Sequence, residues 1–169
     1  MAVSITTPRL IIDEVTTADA AVILELLNEP EFIQNIADRG VRNLQQAMHY
    51  LDQGPIASYA QYGHGLWRVR LQHGPMIGLC GLIYRDYLGI PDIGYGFLQR
   101  YAGQGYATEA AEAVFSYGRD VLGMRKICGI VAPHNLASKH ILQKIGLAAQ
   151  GQVQSPEGKW LDYFEWSAG

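Results

Sequence analysis

The hydrophobic pattern changes period several times along the chain, and each change marks an element. Ser4 to Val15, centred on Leu10-Ile11-Ile12, reads as a first strand. Thr16-Thr17-Ala18-Asp19 offers a hydroxyl to cap a helix, and Ala21, Ile23, Leu24 and Leu27 share one face of a helix running to Asn28, before Pro30. A second short helix is predicted from Glu31 to Ile36. Asp38-Arg39-Gly40 then turns the chain into Asn43 to Tyr62, with Leu44, Ala47, Met48 and Leu51 on one helical face. Gly54-Pro55 is expected to split that segment. Leu66 to Leu71 and Met76 to Tyr84 read as a hairpin across Gln72-His73-Gly74-Pro75.

The next stretch passes from strand to turn to helix with no spare residues. Ile93, Tyr95 and Phe97 alternate with Gly94, Gly96 and Leu98, a strand period. Gly103 and Gly105 follow, and from Ala107 the residues Ala110, Ala111, Val114, Gly118 and Val121 fall on one helical face. Lys126 to Val131 is a short buried strand and Asn135 to Ile145 a helix closed by Gly146. Val153 and the run Trp160 to Trp166 form a last hairpin around Pro156-Glu157-Gly158. No repeat or linker divides the chain, so residues 1–169 read as one α/β domain with a mixed sheet.

Composition narrows the picture. At 169 residues, 49% of them hydrophobic, the chain can bury a core of its own. A formal charge of −3 and a pI near 5.9 give no electrostatic case for nucleic acid. No apolar run approaches the roughly 20 residues that span a bilayer, and the N-terminus lacks the apolar centre of a signal peptide. Cys80 and Cys128 lie in apolar strand-like runs without metal-type spacing, which reads as buried thiols. A cytoplasmic protein fits these features.

A strand that delivers a glycine loop to a helix N-terminus can hold an anion, because free N–H groups and the positive end of the helix dipole converge there. Gly103-Gln104-Gly105 is not a dinucleotide fingerprint, for Thr108 stands where a third glycine or alanine is needed and the region around Met124-Arg125-Lys126 is basic. It is not a nucleotide-triphosphate loop either, since Gly105-Tyr106-Ala107 lacks the lysine. From the glycines alone, a tight structural turn is an equal alternative. Asn135 and Ser138 share one face near the start of the later helix, either as a cap and a solvated serine or as part of a cleft between parallel strand ends.

These residues together resemble the GNAT superfamily of N-acetyltransferases, in its Rim-type branch, which includes enzymes that acetylate ribosomal-protein N-termini. Arg100-Tyr101-Ala102-Gly103-Gln104-Gly105 is similar to the superfamily's coenzyme A loop, and Gly105-Tyr106-Ala107-Thr108-Glu109-Ala110 to this branch's extension of it. Thr7-Pro8-Arg9-Leu10 is similar to its opening strand. Asn135-Leu136-Ala137-Ser138 with Lys144-Ile145-Gly146 is similar to its late helix, with Leu147 where phenylalanine is usual.

The resemblance implies a mostly antiparallel, twisted sheet of about seven strands flanked by helices and splayed between the fourth and fifth strands. It implies acetyl-CoA as acyl donor, with Arg100, Gly103, Gln104, Gly105, Tyr106 and Ala107 around the diphosphate, and an amide at Phe97 or Leu98 polarising the thioester. Asn135 would meet the pantetheine arm, Ser138 the leaving thiolate, and Asp92 the attacking amine. Asp92 as a solvated strand end is the competing reading. The tyrosine acid of many relatives falls at Leu142, which donates no proton. No metal is implied. The acceptor is an amine, on a peptide N-terminus or a small molecule, entering between the Thr17 to Tyr62 helices and the last hairpin. Trp67, Tyr84, Tyr95, Trp160 and Tyr163 line that side or belong to the core; Glu25, Glu29 and Glu31 attract a basic peptide or simply face solvent. His134 and His140 read as surface residues. A homodimer stays open, as does a non-catalytic acyl-CoA-binding scaffold on the same fold.

Overall fold

Thr7-Pro8-Arg9 breaks the first predicted strand in two. In a computed structural model that describes residues 2–169, β1 (Ser4–Thr6) and β2 (Leu10–Asp13) form a tight antiparallel hairpin. Thr7 and Leu10 close it, the Thr7 amide donating to the Leu10 carbonyl and the Leu10 amide to Thr7 Oγ1. The sheet therefore holds eight strands rather than about seven, in the order β1-β2-β3-β4-β5-β6-β8-β7. The others are β3 (Leu66–Leu71), β4 (Met76–Tyr84), β5 (Pro91–Phe97), β6 (Lys126–Val131), β7 (Ala148–Gln154) and β8 (Trp160–Ser167).

Every neighbouring pair is antiparallel except β5 and β6, which run parallel. That exception positions everything that follows. β4 and β5 pair along seven registered positions, whereas β5 and β6 pair only at Asp92↔Cys128 and then part. The predicted splay between the fourth and fifth strands is this gap, one number later because of the extra hairpin.

Helices cover both faces. α5 (Tyr106–Asp120) and α6 (Leu136–Ile145) lie on one side, where Ala110, Ala111, Val114 and Phe115 of α5 pack with Ile77, Cys80, Leu82 and Ile127. On the other, α1 (Ala20–Leu27) and α3 (Leu44–Leu51) place Ile23, Leu26, Leu27, Ala47 and Leu51 against Met76, Leu79 and Leu98. α1 follows a short 3₁₀ turn capped by Thr16, whose side chain and Asp19 satisfy each other's amides in a capping box. α2 (Pro30–Asn35) starts on its proline, as the fixed φ and missing N–H of that residue allow.

Two expectations for the α3 region are corrected. Gly54-Pro55 does not split the segment: residues Asp52–Ile56 form a π-helical turn that runs on into α4 (Ala57–Tyr62). Proline has no N–H to donate and its ring would strike a carbonyl one turn back, and widening the turn relieves both. Of the predicted apolar face, Ala47 and Leu51 are buried but Leu44 and Met48 are exposed. Cys80 and Cys128 are both free and buried.

Candidate active site

The gap between β5 and β6 is lined by backbone. The Leu98 amide donates to the Ile77 carbonyl at 2.9 Å, so strand alternation turns the amides of Tyr95 and Phe97 away from β4 and toward the gap. With β6 paired at Asp92↔Cys128 alone, those two amides have no ladder partner among the described residues. Of the two predicted thioester donors, Leu98 is thus committed to the sheet and its side chain is fully buried; Phe97 is left.

Beyond Phe97, Gln99–Tyr101 make one 3₁₀ turn, and Gly103 and Gly105 take left-handed φ values of 78° and 83°. Only glycine does this without strain. A Cβ on Gly103 would meet nothing within 4 Å, so the loop there is open to a ligand. α5 begins at Tyr106 directly after Gly105, and no side chain caps it. The first closing bond is from the Glu109 amide to the Gly105 carbonyl. The amides of Tyr106, Ala107 and Thr108 are left over at the positive end of a 15-residue helix. A strand edge with free amides running into an uncapped helix N-terminus fits an extended amide chain ending in a diphosphate, as coenzyme A has.

The opening strand signature holds this loop. Arg9 bonds Glu109 Oε1 through Nε at 2.6 Å and the Gln104 carbonyl through Nη1 at 2.9 Å, and its guanidinium lies 4.3 Å from the centre of the Tyr106 ring. Thr7 Oγ1 and the Arg9 amide both donate to Glu109 Oε2. Partial burial of Glu109 would raise its pKa, but the bonds from Thr7 and Arg9 outweigh that and hold the carboxyl below its usual range. The two motifs are one clamp, a connection their separation in the sequence conceals.

Arg100 takes a different position from the predicted one. Its guanidinium pairs with Glu25 and lies near the Tyr101 ring, while Glu29 accepts from the Gln99 amide at 2.9 Å. Glu25 on α1 and Glu29 at the start of α2 therefore tie the loop to these helices instead of presenting a free acidic face. Gln104 is exposed and contributes its carbonyl to Arg9.

Asp92 is not solvated. It is 2% exposed, and burial pushes its pKa up to about 6 against the opposing pull of Arg85, whose Nε lies 3.3 Å from Oδ2. Its Oδ1 has no hydrogen-bond partner among the described residues. Such an oxygen is costly to bury and is free to accept. Beside it, burial pushes the Cys128 thiol up to about 12.

Across the gap, Asn135 caps α6 by accepting from the Ser138 amide at 3.2 Å. Ser138 is half-buried. Its Oγ lies 2.8 Å from the hydroxyl of Tyr95, which also donates to the Ser138 carbonyl at 3.1 Å. Burial pushes the Tyr95 pKa up, so its proton is held. Tyr95 is the residue that sequence reasoning placed only loosely; its alternation with Gly94 and Gly96 was the available signal, because it turns the ring toward α6. Leu142 is buried and would block any side chain on Gly129, a Cβ there falling 2.8 Å from Leu142 Cδ2. His134 Nε2 lies 2.9 Å from Asn35 Oδ1 on α2, and His140 is exposed.

The other aromatic residues separate. Trp67 is fully buried against the edge of Tyr117, Trp160 is exposed, and Tyr163 donates to Glu165 at 2.7 Å. Tyr84 packs on Tyr62 with ring centres 5.2 Å apart at the mouth of a cleft on the α3–α4 side. Among the described residues no three His, Cys, Asp or Glu side chains gather as metal ligands do, and no helix is long and apolar enough to cross a membrane.

The chain matches the family model for the acetyltransferase (GNAT) domain over residues 9–148. It is 29% identical to the protein YkkB of Bacillus subtilis over 133 residues, 76% of each chain. It is 25% identical to the N-acetyltransferase YnaD of the same organism over 166 residues, covering 95% of this chain and 94% of that one. Among solved structures it superposes with a TM-score of 0.84 and 14% identity, over 98% of each chain, on RimL, a ribosomal L7/L12 alpha-N-protein acetyltransferase in complex with coenzyme A.

Proposed function

Since the chain belongs to the GNAT acetyltransferase family, we propose that it moves an acetyl group from acetyl-CoA to a primary amine by direct attack in a ternary complex, with the Rim-type branch as its place in the family. The observation that carries this reading is the uncapped N-terminus of α5 set at the end of a strand with an open amide edge. Gly103, Gly105, Tyr106 and Ala107 would receive the diphosphate through their amides, Asn135 the pantetheine arm, and Phe97 N–H the thioester oxygen. Acetyl-CoA supplies the activated thioester; the chain's own residues orient it and manage two protons.

The first proton is the amine's. An α-amine has a reference pKa of roughly 7.7–8.0, against ~10.4 for a lysine. A carboxylate with a pKa near 6 is ionised at neutral pH and basic enough to take a proton from the attacking α-amine, directly or through one water. Asp92 Oδ1, buried and unpartnered, is the oxygen that does so.

The second proton concerns sulfur. A thiolate with a reference pKa near ~8.5 leaves readily and needs a hydrogen bond more than a strong acid. Ser138 provides it. Tyr95 has one proton to give, and when that proton turns from the Ser138 carbonyl to Ser138 Oγ the serine proton is free to point at the thiolate, so Tyr95 positions Ser138 and takes the place of a helix tyrosine at Leu142.

Steady-state kinetics with acetyl-CoA and an accepted amine test this. Ser138→Ala is expected to lower kcat by about ten- to a hundredfold while acetyl-CoA affinity stays within about twofold, and Tyr95→Phe to produce a smaller loss of the same kind. Equal losses of kcat and affinity would make Ser138 a binding residue.

A further inference from the structure

On the α3–α4 side of the sheet lies an open cleft whose fully charged lining residues, Arg39 and Arg85, are both cationic. It has two adjoining lobes of about 650 and 300 Å³, both bordered by Arg39, Tyr50, Gln53 and Gly54. The outer lobe runs over α3 past His49; the inner lobe ends at Ile83, Tyr84 and Arg85 on β4. Ile83 is the registered neighbour of Asp92, and Arg85 reaches the Asp92 carboxylate. The inner lobe therefore ends one residue short of Asp92, at the Ile83 and Arg85 side chains that lie against it.

No aspartate or glutamate lines either lobe. At neutral pH the charge of Arg85 is matched by Asp92, which leaves Arg39. That side chain is exposed and forms no ion pair or hydrogen bond among the described residues. Glu157, at the turn between β7 and β8, feels the charge of Arg39 without forming an ion pair with it. The π-helical turn adds to the arrangement: it carries Pro55 inside a continuous helix, and its residues Gln53 and Gly54 line both lobes together with Arg39. An unpaired guanidinium in a concave site favours an oxyanion through its fork of N–H groups and repels a second cation.

Resting on the acetyltransferase reading above, we propose that the acceptor is a compact primary amine carrying its own carboxylate or phosphate group, held by Arg39 with Arg85 behind it while the amine points at Asp92. Diamines and polyamines are disfavoured by the same charge. The α3–α4 wall and the Tyr62–Tyr84 pair bound the length of what fits.

The test measures CoA thiol release with acetyl-CoA and a matched set of acceptors: one primary amine with a free carboxylate, its phosphate analogue, its amide, and a diamine of equal length. The inference predicts kcat/KM at least about tenfold higher for an anionic member than for the amide or diamine, and the carboxylate and phosphate arms decide which anion it is. Arg39→Gln should raise KM for the anionic acceptor, leave kcat nearly unchanged and erase the preference, and Arg39→Lys should restore part of it. Equal or better use of the amide or the diamine overturns the inference and leaves the acetyltransferase reading standing. Release above hydrolysis with no amine of any charge overturns that reading, and the inference with it.

Discussion

Asp92 is buried where a carboxylate is costly, and one of its oxygens is left without a partner. Its folded pKa, about 6, lies above the ordinary 3.8. The folded protein therefore holds this proton more tightly than the unfolded chain, so the group's stabilisation is full below about pH 4 and is lost as pH rises through about 6. Asp92→Asn, a permanent stand-in for the neutral acid, is expected to gain about 1–3 kcal/mol at pH 7.5 by denaturant unfolding. The same change should lower turnover by about 10²–10⁴-fold and remove the acid limb near pH 6 from the rate profile. Loss of both stability and activity would make Asp92 a structural residue. Its identity was legible in the sequence, at the start of the strand after Pro91; its burial was not, because the parallel neighbour that covers it, Cys128, is brought in by β6 from another part of the chain.

The loop at Gly103 and Gly105 is held by elements distant in the sequence. Gly103, Gly105 and the helix after them could be read locally, since left-handed turns and a change of period are signals of adjacent residues. What the period could not reveal is who holds the loop. Thr7 and Arg9 come from the opening hairpin, Glu25 and Glu29 from α1 and its exit, and each pairing is a tertiary contact. The break expected at Gly54-Pro55 is a different case: the helix runs through the proline on a π-helical turn, which the residue types alone do not announce. Exposed ion pairs contribute little to stability, and Arg9 is 44% exposed. Its bond to the Gln104 carbonyl nevertheless fixes the shape of the loop. Arg9→Ala should thus weaken acetyl-CoA binding by about three- to tenfold in calorimetry with kcat at saturation little changed. Unchanged affinity would reduce the clamp to a packing detail.

For the whole molecule, the sheet turns one irregularity into a site. Six antiparallel junctions share their amides, and the single parallel junction, pinned at Asp92↔Cys128, leaves an edge open in the interior of the sheet. Asp92, the amide edge, the helix N-terminus and the Ser138–Tyr95 pair all stand around that opening. The architecture could be anticipated from motif order, and the eighth strand missed, because a three-residue strand has too few positions to show a period. The central claim is that the opening brings a thioester to an amine. Its most direct test is mass analysis of products after incubation with acetyl-CoA and a panel of primary amines, alongside CoA thiol release. The account predicts amine-dependent thiol release with one amine heavier by a single acetyl group. Tight acetyl-CoA binding, with release no faster than hydrolysis for every amine and no acetylated product, would contradict it and make the chain a coenzyme-binding scaffold.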